Sequence, residues 1–383
     1  MLSGVNVALG VTGSIAAVKV VELAHELRRR GANVRAVVTE SAQGIVHPWA
    51  VEFATDAPVV TEITGSVEHV ELCGRDGWAD VFLVAPATAN TVGKMAAAVD
   101  DSPVTTTATT ALGAGVPVVV APAMHEPMYD HPGVLDAIDR VSSWGVDFVD
   151  PRVEEGKAKI ASEDAIVLAT ARAAGDRPLD GEHVVVTSGA TSEPIDPVRV
   201  LTNRSSGKTG RAVAAACYVR GADVTLVHGD GDVPYADVRD VETAAEMTAA
   251  TLDACADADT LVSAAAIGDY TVEPSEEKIR SGQELTLDLQ PTRKLLDAVR
   301  DEYPTLRIVG FKTETSGEDD AMVEAARSIR DRSGLSFVVA NDASVMGSDE
   351  TRALVVTADE VSEYAGDKRG LGRRVAEELA TGL

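Results

Sequence analysis

Short apolar runs alternate with segments of helical periodicity along most of the chain. Five runs in the first half predict strands at residues 6–9, 34–38, 81–85, 116–120 and 146–149. Five runs in the second half predict strands at residues 184–187, 224–227, 261–265, 308–311 and 337–340. Continuous apolar strands separated by helices are typical of parallel sheets covered on both faces. The pattern therefore predicts an α/β fold with two doubly wound, Rossmann-like domains and mainly parallel sheets.

Caps and chain-breaking residues place the helices and the domain boundary. A turn at 10–14 leads into an amphipathic helix predicted over 15–30, and Gly31 ends it. A helix over 163–174, capped by Ser162, precedes a stretch rich in Gly, Pro and Asp. We expect domains at 1–175 and 183–383, joined by a linker at 176–182. Residues 284–289 alternate strictly between polar and apolar side chains, which predicts a half-exposed strand that could belong to an antiparallel extension.

Length and composition set limits on the class of protein. A chain of 383 residues, 45% of them hydrophobic, suits two domains with buried sheets. No apolar run approaches the length of a membrane span, and residues 1–9 do not resemble a signal peptide, so we expect a cytoplasmic protein. Cys73, Cys217 and Cys255 show no ligand spacing, so they indicate neither a disulfide framework nor a zinc site.

The net charge of −27 is extreme, with 61 acidic against 34 basic residues. Such a surface repels the phosphate backbones of DNA and RNA, so we do not expect nucleic acid as a partner. Acidity of this kind favours solubility at high salt, where repulsion between like charges is screened. Because lysines are few, each lysine or arginine inside a glycine-rich or motif segment is a candidate for binding an anionic ligand.

The segment 184–210 carries the most specific chemistry in the sequence. It begins as an apolar strand, breaks at Gly189, and ends in a Ser- and Gly-rich loop before a helix. Such loops present backbone N–H groups to phosphates. Gly207, Lys208 and Thr209 imitate the end of a P-loop, but that motif requires a glycine where Thr202 stands. The segment therefore predicts a nucleotide site of a different type.

This segment resembles the entry to the nucleotide site of phosphopantothenate-cysteine ligases, which join cysteine to 4'-phosphopantothenate. Matching motifs follow at residues 196–199, 264–270, 278–280, 310–315 and 340–342. The resemblance implies that Asn203 and Lys278 are catalytic and that Arg199 binds substrate. It implies nucleotide contacts from Gly189, Ser206, Gly207, Lys208, Ala265, Asp269, Lys278, Phe311 and Arg332.

The implied nucleotide is CTP, although the residues alone do not separate cytosine from adenine. Activating a carboxylate with a nucleotide brings anions together, so we expect Mg²⁺ and basic side chains at the site. No magnesium ligand is identified. The residues leave alternatives open: Lys278 as a solvated loop residue, Phe311 as core, and Arg332 as a solvated arginine of a helix.

The turn at 10–14 is not GxGxxG, so the dinucleotide fingerprint fails. Hydroxyls of Thr12 and Ser14 beside a helix N-terminus suit a terminal monophosphate such as that of FMN. Small residues at such a turn also serve tight packing of strand against helix. Polar segments at 86–91 and 122–128 follow two strands at the carboxyl edge of the predicted sheet, where open α/β folds bind ligands.

With residues 13–17 and 69–72, these segments resemble the flavin-dependent cysteine decarboxylases, specifically phosphopantothenoylcysteine decarboxylase, over 5–149. The resemblance implies a flavodoxin-like first domain with His69 as the catalytic base. It implies FMN contacts from Gly13, Ser14, Ile15, Ser41, Thr88 and Asn90, and substrate contacts from His125, Met128, Lys157 and Lys159. Taken alone, His69 would more readily be a surface histidine before a helix, and only the neighbouring motifs favour the catalytic role. Met124 and Met128 at i and i+4 are more typical of core.

Two departures from the decarboxylase pattern matter. His125 stands where the family usually has an asparagine that holds the substrate carboxylate, and a histidine N–H donor could replace it. Residues 151–160 correspond to a substrate flap but lack its usual proton-donating cysteine. Lys157 and Lys159 are the nearest alternative acids, and Cys73 is a second candidate, although buried packing is its expected role.

Together the resemblances imply a bifunctional enzyme of acidic archaeal type. The second domain would make 4'-phosphopantothenoylcysteine, and the first would decarboxylate it to 4'-phosphopantetheine. The decarboxylase resemblance implies homo-oligomers, trimers or larger, up to dodecamers. Two alternatives remain: a nicotinamide-dependent oxidoreductase, disfavoured by the absent fingerprint, and a flavin-binding regulatory subunit without catalysis.

Overall fold

The structure is a computed structural model that describes residues 1–154, 157–282, 284–314, 319–342 and 350–382. The chain divides into two compact units, Met1–Gly175 and Asp176–Leu383. None of the helices in the described ranges has the length and apolar content that crossing a membrane requires.

The first unit contains a parallel sheet with helices on both sides. Its strands are β1 (Asn6–Val11), β2 (Asn33–Val38), β3 (Val81–Ala87), β4 (Val118–Pro122), β5 (Met124–His125), β6 (Asp147–Phe148), β7 (Arg152–Glu154) and β8 (Lys157–Lys159). Its helices are α1 (Val20–Arg29), α2 (Glu40–Gln43), α3 (Pro48–Thr55), α4 (Glu68–Cys73), α5 (Ala89–Ala96), α6 (Pro103–Ala114), α7 (Glu126–Tyr129), α8 (Pro132–Ser142) and α9 (Glu163–Ala174). The predicted helix over 163–174 and its Ser162 cap are confirmed.

The main sheet of this unit has the order β2-β1-β3-β4-β6, with all pairs parallel. Buried valines fill its strands, as continuous apolar runs require. The order reverses between β1 and β3, and open α/β sheets bind ligands at that switch point. A small antiparallel sheet, β5-β8-β7, follows β4 and pairs His125 with Lys157.

The first helix differs from its prediction. Residues 15–30 divide into a 3₁₀ turn, Ile15–Lys19, and α1. Ser14 caps the turn by accepting the N–H of Ala16 at 3.4 Å. Ile15 and Val18 are 75% and 59% exposed, so their apolar side chains do not join the buried stripe of α1. The sequence periodicity therefore extended the helix too far toward its N-terminus.

The second unit contains a larger, mixed sheet. Its strands are β9 (His183–Thr187), β10 (Ser192–Pro194), β11 (Val200–Thr202), β12 (Asp223–His228), β13 (Asp237–Asp240), β14 (Thr260–Ser263), β15 (Tyr270–Val272), β16 (Leu289–Pro291), β17 (Arg307–Glu314), β18 (Phe337–Asp342), β19 (Glu350–Val356) and β20 (Val361–Asp367). Its helices are α10 (Lys208–Val219), α11 (Ala244–Ala254), a 3₁₀ turn (Cys255–Asp257), α12 (Leu295–Glu302), α13 (Asp319–Ser333) and α14 (Lys368–Thr381).

The main sheet of the second unit has the order β13-β12-β9-β14-β17-β18-β19-β20. The pairs from β13 to β18 are parallel, and β19 and β20 extend the sheet antiparallel. Helices α10 and α14 pack closely where Gly372 faces Ala212. A Cβ on Gly372 would lie 2.4 Å from the carbonyl O of Ala212, so this approach requires glycine. The predicted α/β class with mainly parallel sheets is confirmed.

The predicted strand at 284–289 is wrong. Residues 284–288 belong to no strand, and β16 begins only at Leu289, where it pairs antiparallel with β15. Leu285 and Leu289 are 49% and 42% exposed. The alternation therefore has no buried face to stabilise a strand. An alternating pattern specifies a strand only where its apolar face is buried.

Candidate active sites

A cavity of about 440 Å³ lies at the carboxyl edge of the first sheet. It brings together seven of the predicted residues: Gly13, Ser14, Ile15, Thr88, His125, Met128 and Lys159. Its other lining residues are Ala16, Lys19, Ala89, Ala123, Met124, Arg152 and Ile160. Segments that follow β1, β3 and β4 therefore meet at one place, as the parallel topology requires.

Hydrogen bonds between loops fix this edge. Thr12 Oγ1 donates to the carbonyl O of Pro86 at 2.8 Å and accepts the N–H of Thr88 at 3.0 Å. Ser14 Oγ donates to the carbonyl O of Ala123 at 2.9 Å. In this structure both hydroxyls donate to carbonyl groups, and they hold the three segments in register. Their contact with a phosphate stays a prediction.

Two predicted flavin contacts lie at the margin of the cavity. Ser41 is exposed on α2, and a Cβ built on Gly13 would lie 2.6 Å from its Cβ. The turn after β1 thus packs directly on Ser41, which only glycine permits. Asn90 is exposed in the first turn of α5, next to the lining residues Thr88 and Ala89. Neither Ser41 nor Asn90 is among the described residues that line the cavity.

The charge of the cavity opposes that of the chain. Lys19, Arg152, Lys159 and His125 line it, and none of the described lining residues is Asp or Glu. Lys19 and Arg152 were missed by the sequence reasoning. A usable signal existed for Lys19, because it lies two residues after the motif at 13–17 in a chain with nine lysines. The side chain of Lys157 lies outside the described residues.

The methionines of the motif at 122–128 both line the cavity. Met128 is 49% exposed, so the expectation that this pair belongs to the core is wrong for it. The residues are separated by a strand end and a short helix rather than by one helical turn, which removes the basis of the i, i+4 argument.

His69 lies on α4, away from the described residues that line the cavity. Its side chain is half-buried, and within the described part of the chain Nδ1 is buried without a hydrogen-bond partner. Cys73, on the same helix, is completely buried, and burial raises the pKa of its thiol to about 12. The packing role expected for Cys73 is confirmed.

In the second unit, a smaller cavity of about 100 Å³ lies at the N-terminus of α10. Five predicted residues line it: Ser206, Gly207, Lys208, Ala265 and Phe311. The other lining residues are Ser205, Thr209, Gly210, Ala264, Ala266, Thr313, Asn341, Thr351, Lys368 and Leu371. Lys368, the first residue of α14, is only 9% exposed and was missed by the sequence reasoning.

Two glycines shape the loop beside this cavity. Gly189 has φ +85° and Gly207 has φ +67°, a left-handed backbone that other residues rarely adopt. A Cβ on Gly207 would lie 3.1 Å from the Cα of Gly189 and 2.8 Å from Nη1 of Arg211. Ser188 Oγ donates to the carbonyl O of Gly207 at 2.8 Å. The end of β9 and the start of α10 are therefore in direct contact, as phosphate-binding loops require.

A third cavity, of about 660 Å³, contains the predicted residues Gly189 and Asn203. It shares Ser205 with the smaller cavity. Asn203 Nδ2 donates to the carbonyl O of Ala266 at 2.6 Å, and its Oδ1 accepts the N–H of Ser205 at 3.0 Å. Asn203 thus connects the Ser-Gly loop to the turn after β14, at the boundary of the two cavities.

The remaining predicted residues of the second unit line neither cavity among the described residues. Lys278 is exposed, Arg332 is exposed on α13, and Asp269 accepts a hydrogen bond from Nζ of Lys294 at 2.5 Å. Arg199 is hydrogen-bonded to Asp196 and to the carbonyl O of Ile279. These residues lie on loops and on a helix face, where the sequence motif does not determine whether a side chain faces a cavity.

Comparison with known proteins accounts for the whole chain. The flavoprotein family matches residues 1–175, and the C-terminal domain of DNA/pantothenate metabolism flavoproteins matches residues 179–383. A coenzyme A biosynthesis bifunctional protein from Thermococcus kodakarensis is 46% identical, covering 99% of this chain and 95% of that protein. This chain belongs to the family of coenzyme A biosynthesis bifunctional proteins. A second member, from Methanocaldococcus jannaschii, is 34% identical over 99% of this chain and 94% of its own.

The family assignment confirms both resemblances read from the motifs. The N-terminal unit is a flavoprotein domain. A solved structure of the FMN-dependent cysteine decarboxylase SpaF is 32% identical, covers 46% of this chain and 100% of that chain, and has a TM-score of 0.41. No group of three or more His, Cys, Asp or Glu side chains suited to a metal ion occurs in the described part of this family member.

Proposed function

We propose that this chain catalyses two consecutive steps of coenzyme A biosynthesis. The C-terminal unit joins cysteine to 4'-phosphopantothenate at the expense of CTP, through an acyl-cytidylate. The N-terminal unit then decarboxylates 4'-phosphopantothenoylcysteine to 4'-phosphopantetheine with FMN. The observation that carries the proposal is that each unit has a cavity at its sheet edge, lined by its own family's motif residues, in a chain that matches bifunctional relatives over 99% of its length.

FMN fits the first cavity. Its volume of about 440 Å³ is in the range of small-molecule sites. Lys19, Arg152 and Lys159 supply positive charge suited to phosphorylated ligands, while Ile15, Ala16 and Ala123 supply apolar surface. Gly13, packed on Ser41, keeps the turn open to a ligand because it has no side chain. When bound, FMN would accept a hydride from the cysteine carbon and return one after decarboxylation.

His69 and His125 serve the decarboxylation in different ways. His69 removes the thiol proton, a role suited to an imidazole whose Nδ1 has no hydrogen-bond partner among the described residues. His125 lines the cavity and donates an N–H to the substrate carboxylate, in place of an asparagine. Loss of carbon dioxide leaves an enethiolate that must gain a proton. Lys159, a flap residue that lines the cavity and carries an ammonium group, supplies it.

The enzyme is a homo-oligomer, a trimer or a larger assembly up to a dodecamer. Two features support this proposal: Ile15, at the cavity, is 75% exposed, and His69 does not line the cavity of its own chain among the described residues. A neighbouring copy that covers this surface would bring the two together. The three cysteines are free and buried, which suits a reducing, cytoplasmic location.

In the C-terminal unit, the start of α10 and the loop before it receive the triphosphate of CTP. Backbone N–H groups near Gly207, with Lys208 and Lys368, supply the positive potential, and Phe311 stacks on the base. Lys278 stabilises charge as the substrate carboxylate attacks the α-phosphorus and pyrophosphate leaves. Asn203 then orients the acyl-cytidylate while the cysteine amine displaces CMP. Mg²⁺ enters with the nucleotide, since substrate phosphates and retained waters supply much of its coordination in such sites.

The test is a spectrum and two assays on the purified full chain. We expect a bound flavin in the visible spectrum, with release as FMN on denaturation. With 4'-phosphopantothenate, cysteine and CTP we expect pyrophosphate, carbon dioxide and 4'-phosphopantetheine, identified by mass. A colourless protein that does not take up FMN contradicts the first half of the proposal. Failure to consume CTP in the presence of 4'-phosphopantothenate and cysteine contradicts the second half, the ligation.

A further inference from the structure

Asp196 has a buried carboxylate whose two oxygens both accept hydrogen bonds. The residue is 3% exposed. Oδ1 accepts the backbone N–H groups of Val198 at 2.8 Å and Arg199 at 2.9 Å, which closes a tight turn. Oδ2 accepts Nη2 of Arg199 and, at 3.0 Å, the backbone N–H of Ile279. One carboxylate therefore bonds to its own turn and to a loop about eighty residues later.

The carboxylate is ionised at any physiological pH. Burial by itself raises the pKa of Asp196, but the hydrogen bonds from Arg199 and from three backbone N–H groups outweigh burial and hold it well below its usual range. An ionised acceptor makes stronger hydrogen bonds than a neutral one. The contact with Ile279 therefore persists over the pH range in which the enzyme works.

A second set of bonds holds the same loop. Arg199 Nη2 also donates to the carbonyl O of Ile279 at 2.5 Å. The N–H of Ser275 donates to the carbonyl O of Ile195 at 2.9 Å. Both the N–H and the C=O of Ile279 thus bond to the turn 196–199. Lys278, the preceding residue, is exposed, and residues 273–282 form no helix or strand.

A loop without secondary structure takes its position from such contacts. Lys278 has an exposed side chain with many rotamers, so fixing its backbone is the main constraint that the described residues place on it. We propose that Asp196 is a positioning residue for ligation, which holds Ile279 and thereby directs Lys278 at the reacting phosphate. This inference rests on the proposed function, because it assigns Lys278 to acyl-cytidylate formation.

Asp196→Asn tests the proposal with little change in size. Asparagine can keep an oxygen at the Oδ1 position and so preserve the turn. Its NH₂ group then takes the place of Oδ2 and faces the N–H of Ile279 and Nη2 of Arg199. All three groups are hydrogen-bond donors, so both hydrogen bonds are lost. We expect kcat for CTP-dependent ligation to fall on the order of a hundredfold, as misplaced catalytic groups do. The KM for CTP should change by less than about twofold, since neither Asp196 nor Arg199 lines the cavity at the start of α10.

Glu193→Gln is the matched control. Glu193 is 4% exposed, and it accepts the N–H of Ala244 at 2.8 Å and Oγ1 of Thr271 at 2.7 Å. A glutamine keeps the first bond, and it can donate to the Thr271 hydroxyl in place of the second. The same acid-to-amide change is thus made in a buried residue that does not hold Ile279. This variant should retain wild-type kcat.

Amide hydrogen exchange on the full chain measures the hydrogen bond between Asp196 and the N–H of Ile279 directly. Ile279 should exchange slowly in the wild type and in Glu193→Gln, and at least about tenfold faster in Asp196→Asn. The β9 amides should stay protected in all three, which shows that the unit is folded. If β9 loses protection in Asp196→Asn, the variant Asp196→Glu is used in its place, because the longer side chain keeps the charge but displaces both oxygens from the backbone groups of Val198, Arg199 and Ile279.

The outcomes separate the inference from the proposed function. Wild-type kcat in Asp196→Asn, or in Asp196→Glu where it is needed, overturns the inference, as does free exchange of Ile279 in the wild type. A fall in kcat with little change in KM, together with faster exchange at Ile279, supports it. A wild-type chain that performs no ligation, with Ile279 protected, refutes the proposed function instead.

Discussion

The two units carry their candidate residues in different ways. In the N-terminal unit, segments after three parallel strands face one cavity of about 440 Å³, and Thr12 and Ser14 bond those segments together. In the C-terminal unit, the candidates are divided between cavities of about 100 and 660 Å³ and loops outside both. Asn203 and Asp196 connect the parts through hydrogen bonds to distant backbone groups.

This difference has a physical cause. Strand ends in a parallel sheet bring residues together through the topology itself, because neighbouring strands end at the same edge. Long loops have no such register, so their positions depend on individual buried polar contacts. A substitution in the first site should therefore affect a ligand contact directly. One in the second site can act at a distance, through the position of a loop.

The largest expected effect comes from separating the two activities. His69→Asn should remove carbon dioxide release, a loss of about a hundredfold or more for a general base, and leave ligation intact. Lys278→Gln should stop acyl-cytidylate formation and leave decarboxylation of supplied 4'-phosphopantothenoylcysteine intact. Pyrophosphate release and carbon dioxide release measure the two reactions. Loss of both activities in either folded variant would show that the units are not independent sites.

A smaller effect is expected at the flap. Replacing Lys157 and Lys159 together with alanine should slow protonation of the enethiolate by about tenfold and let the oxidised, decarboxylated enethiol accumulate. Because Lys159 lines the cavity, Lys159→Ala alone should account for most of the change. Product mass spectrometry measures the ratio of enethiol to 4'-phosphopantetheine.

Cys73→Ser is the control for this prediction. Its thiol is completely buried, and burial raises its pKa to about 12, so it is poorly suited to donate to a ligand in the cavity. We expect no enethiol from this variant. Unchanged formation of fully reduced product by the double alanine variant would exclude both flap lysines as the donor.

The sequence predicted the frame of both sheets and the residues that follow their strands. Valine-rich runs identify buried parallel strands because both faces of such strands are covered. The motif residues Gly13, Thr88, Gly207 and Phe311 line cavities because they lie at or next to strand ends and at helix starts. At these positions local pattern and global topology agree, which makes them accessible to sequence reasoning.

Other parts of the molecule were not predictable in this way. The strands β19 and β20 join the sheet by antiparallel pairing, which depends on distant partners rather than on local periodicity. Lys368 reaches the cavity at the start of α10 only because α14 packs beside α10. The bond of Asp196 to Ile279 spans loops that no motif relates. Long-range contacts decide these cases, and a single sequence does not contain them explicitly.

Lys368 offers a more moderate test of the C-terminal site. It is 9% exposed and lines the same cavity as Lys208 and Phe311. Lys368→Met keeps the length of the buried stem and removes the charge, so we expect the KM for CTP to rise by about tenfold with a smaller change in kcat. Arg220→Met, at the ion pair with Glu377 beyond the C-terminal end of α10, is the comparison in the same unit and should leave this KM unchanged. An unchanged KM in Lys368→Met would remove this residue from the nucleotide site.

The smallest expected effect is a pH dependence of stability at the end of β12, where His228 is completely buried. Nε2 bonds to the carbonyl O of Gly231 at 2.9 Å, and Nδ1 has no partner among the described residues. Burial lowers the pKa of His228, against the opposing effects of Gly231, Asp230 and Asp240, while the charge of Arg211 lowers it further. The unfolded chain therefore binds a proton at a higher pH than the fold does, so stability from neutral His228 is full above about pH 6.5 and declines below it.

His228→Gln isolates this contribution, because glutamine keeps an N–H donor for Gly231 and does not titrate. Lower pH also reduces the net charge of −27 and with it the repulsion across the fold, so the wild-type slope alone is not decisive. The difference in slope between the two proteins removes that shared effect. From pH 7.5 to 5.5 we expect the Tm of the C-terminal unit to fall by about 2 °C more in the wild type than in His228→Gln. Calorimetry on the full chain measures it, and parallel slopes would mean that His228 keeps the same proton affinity in the folded and unfolded states.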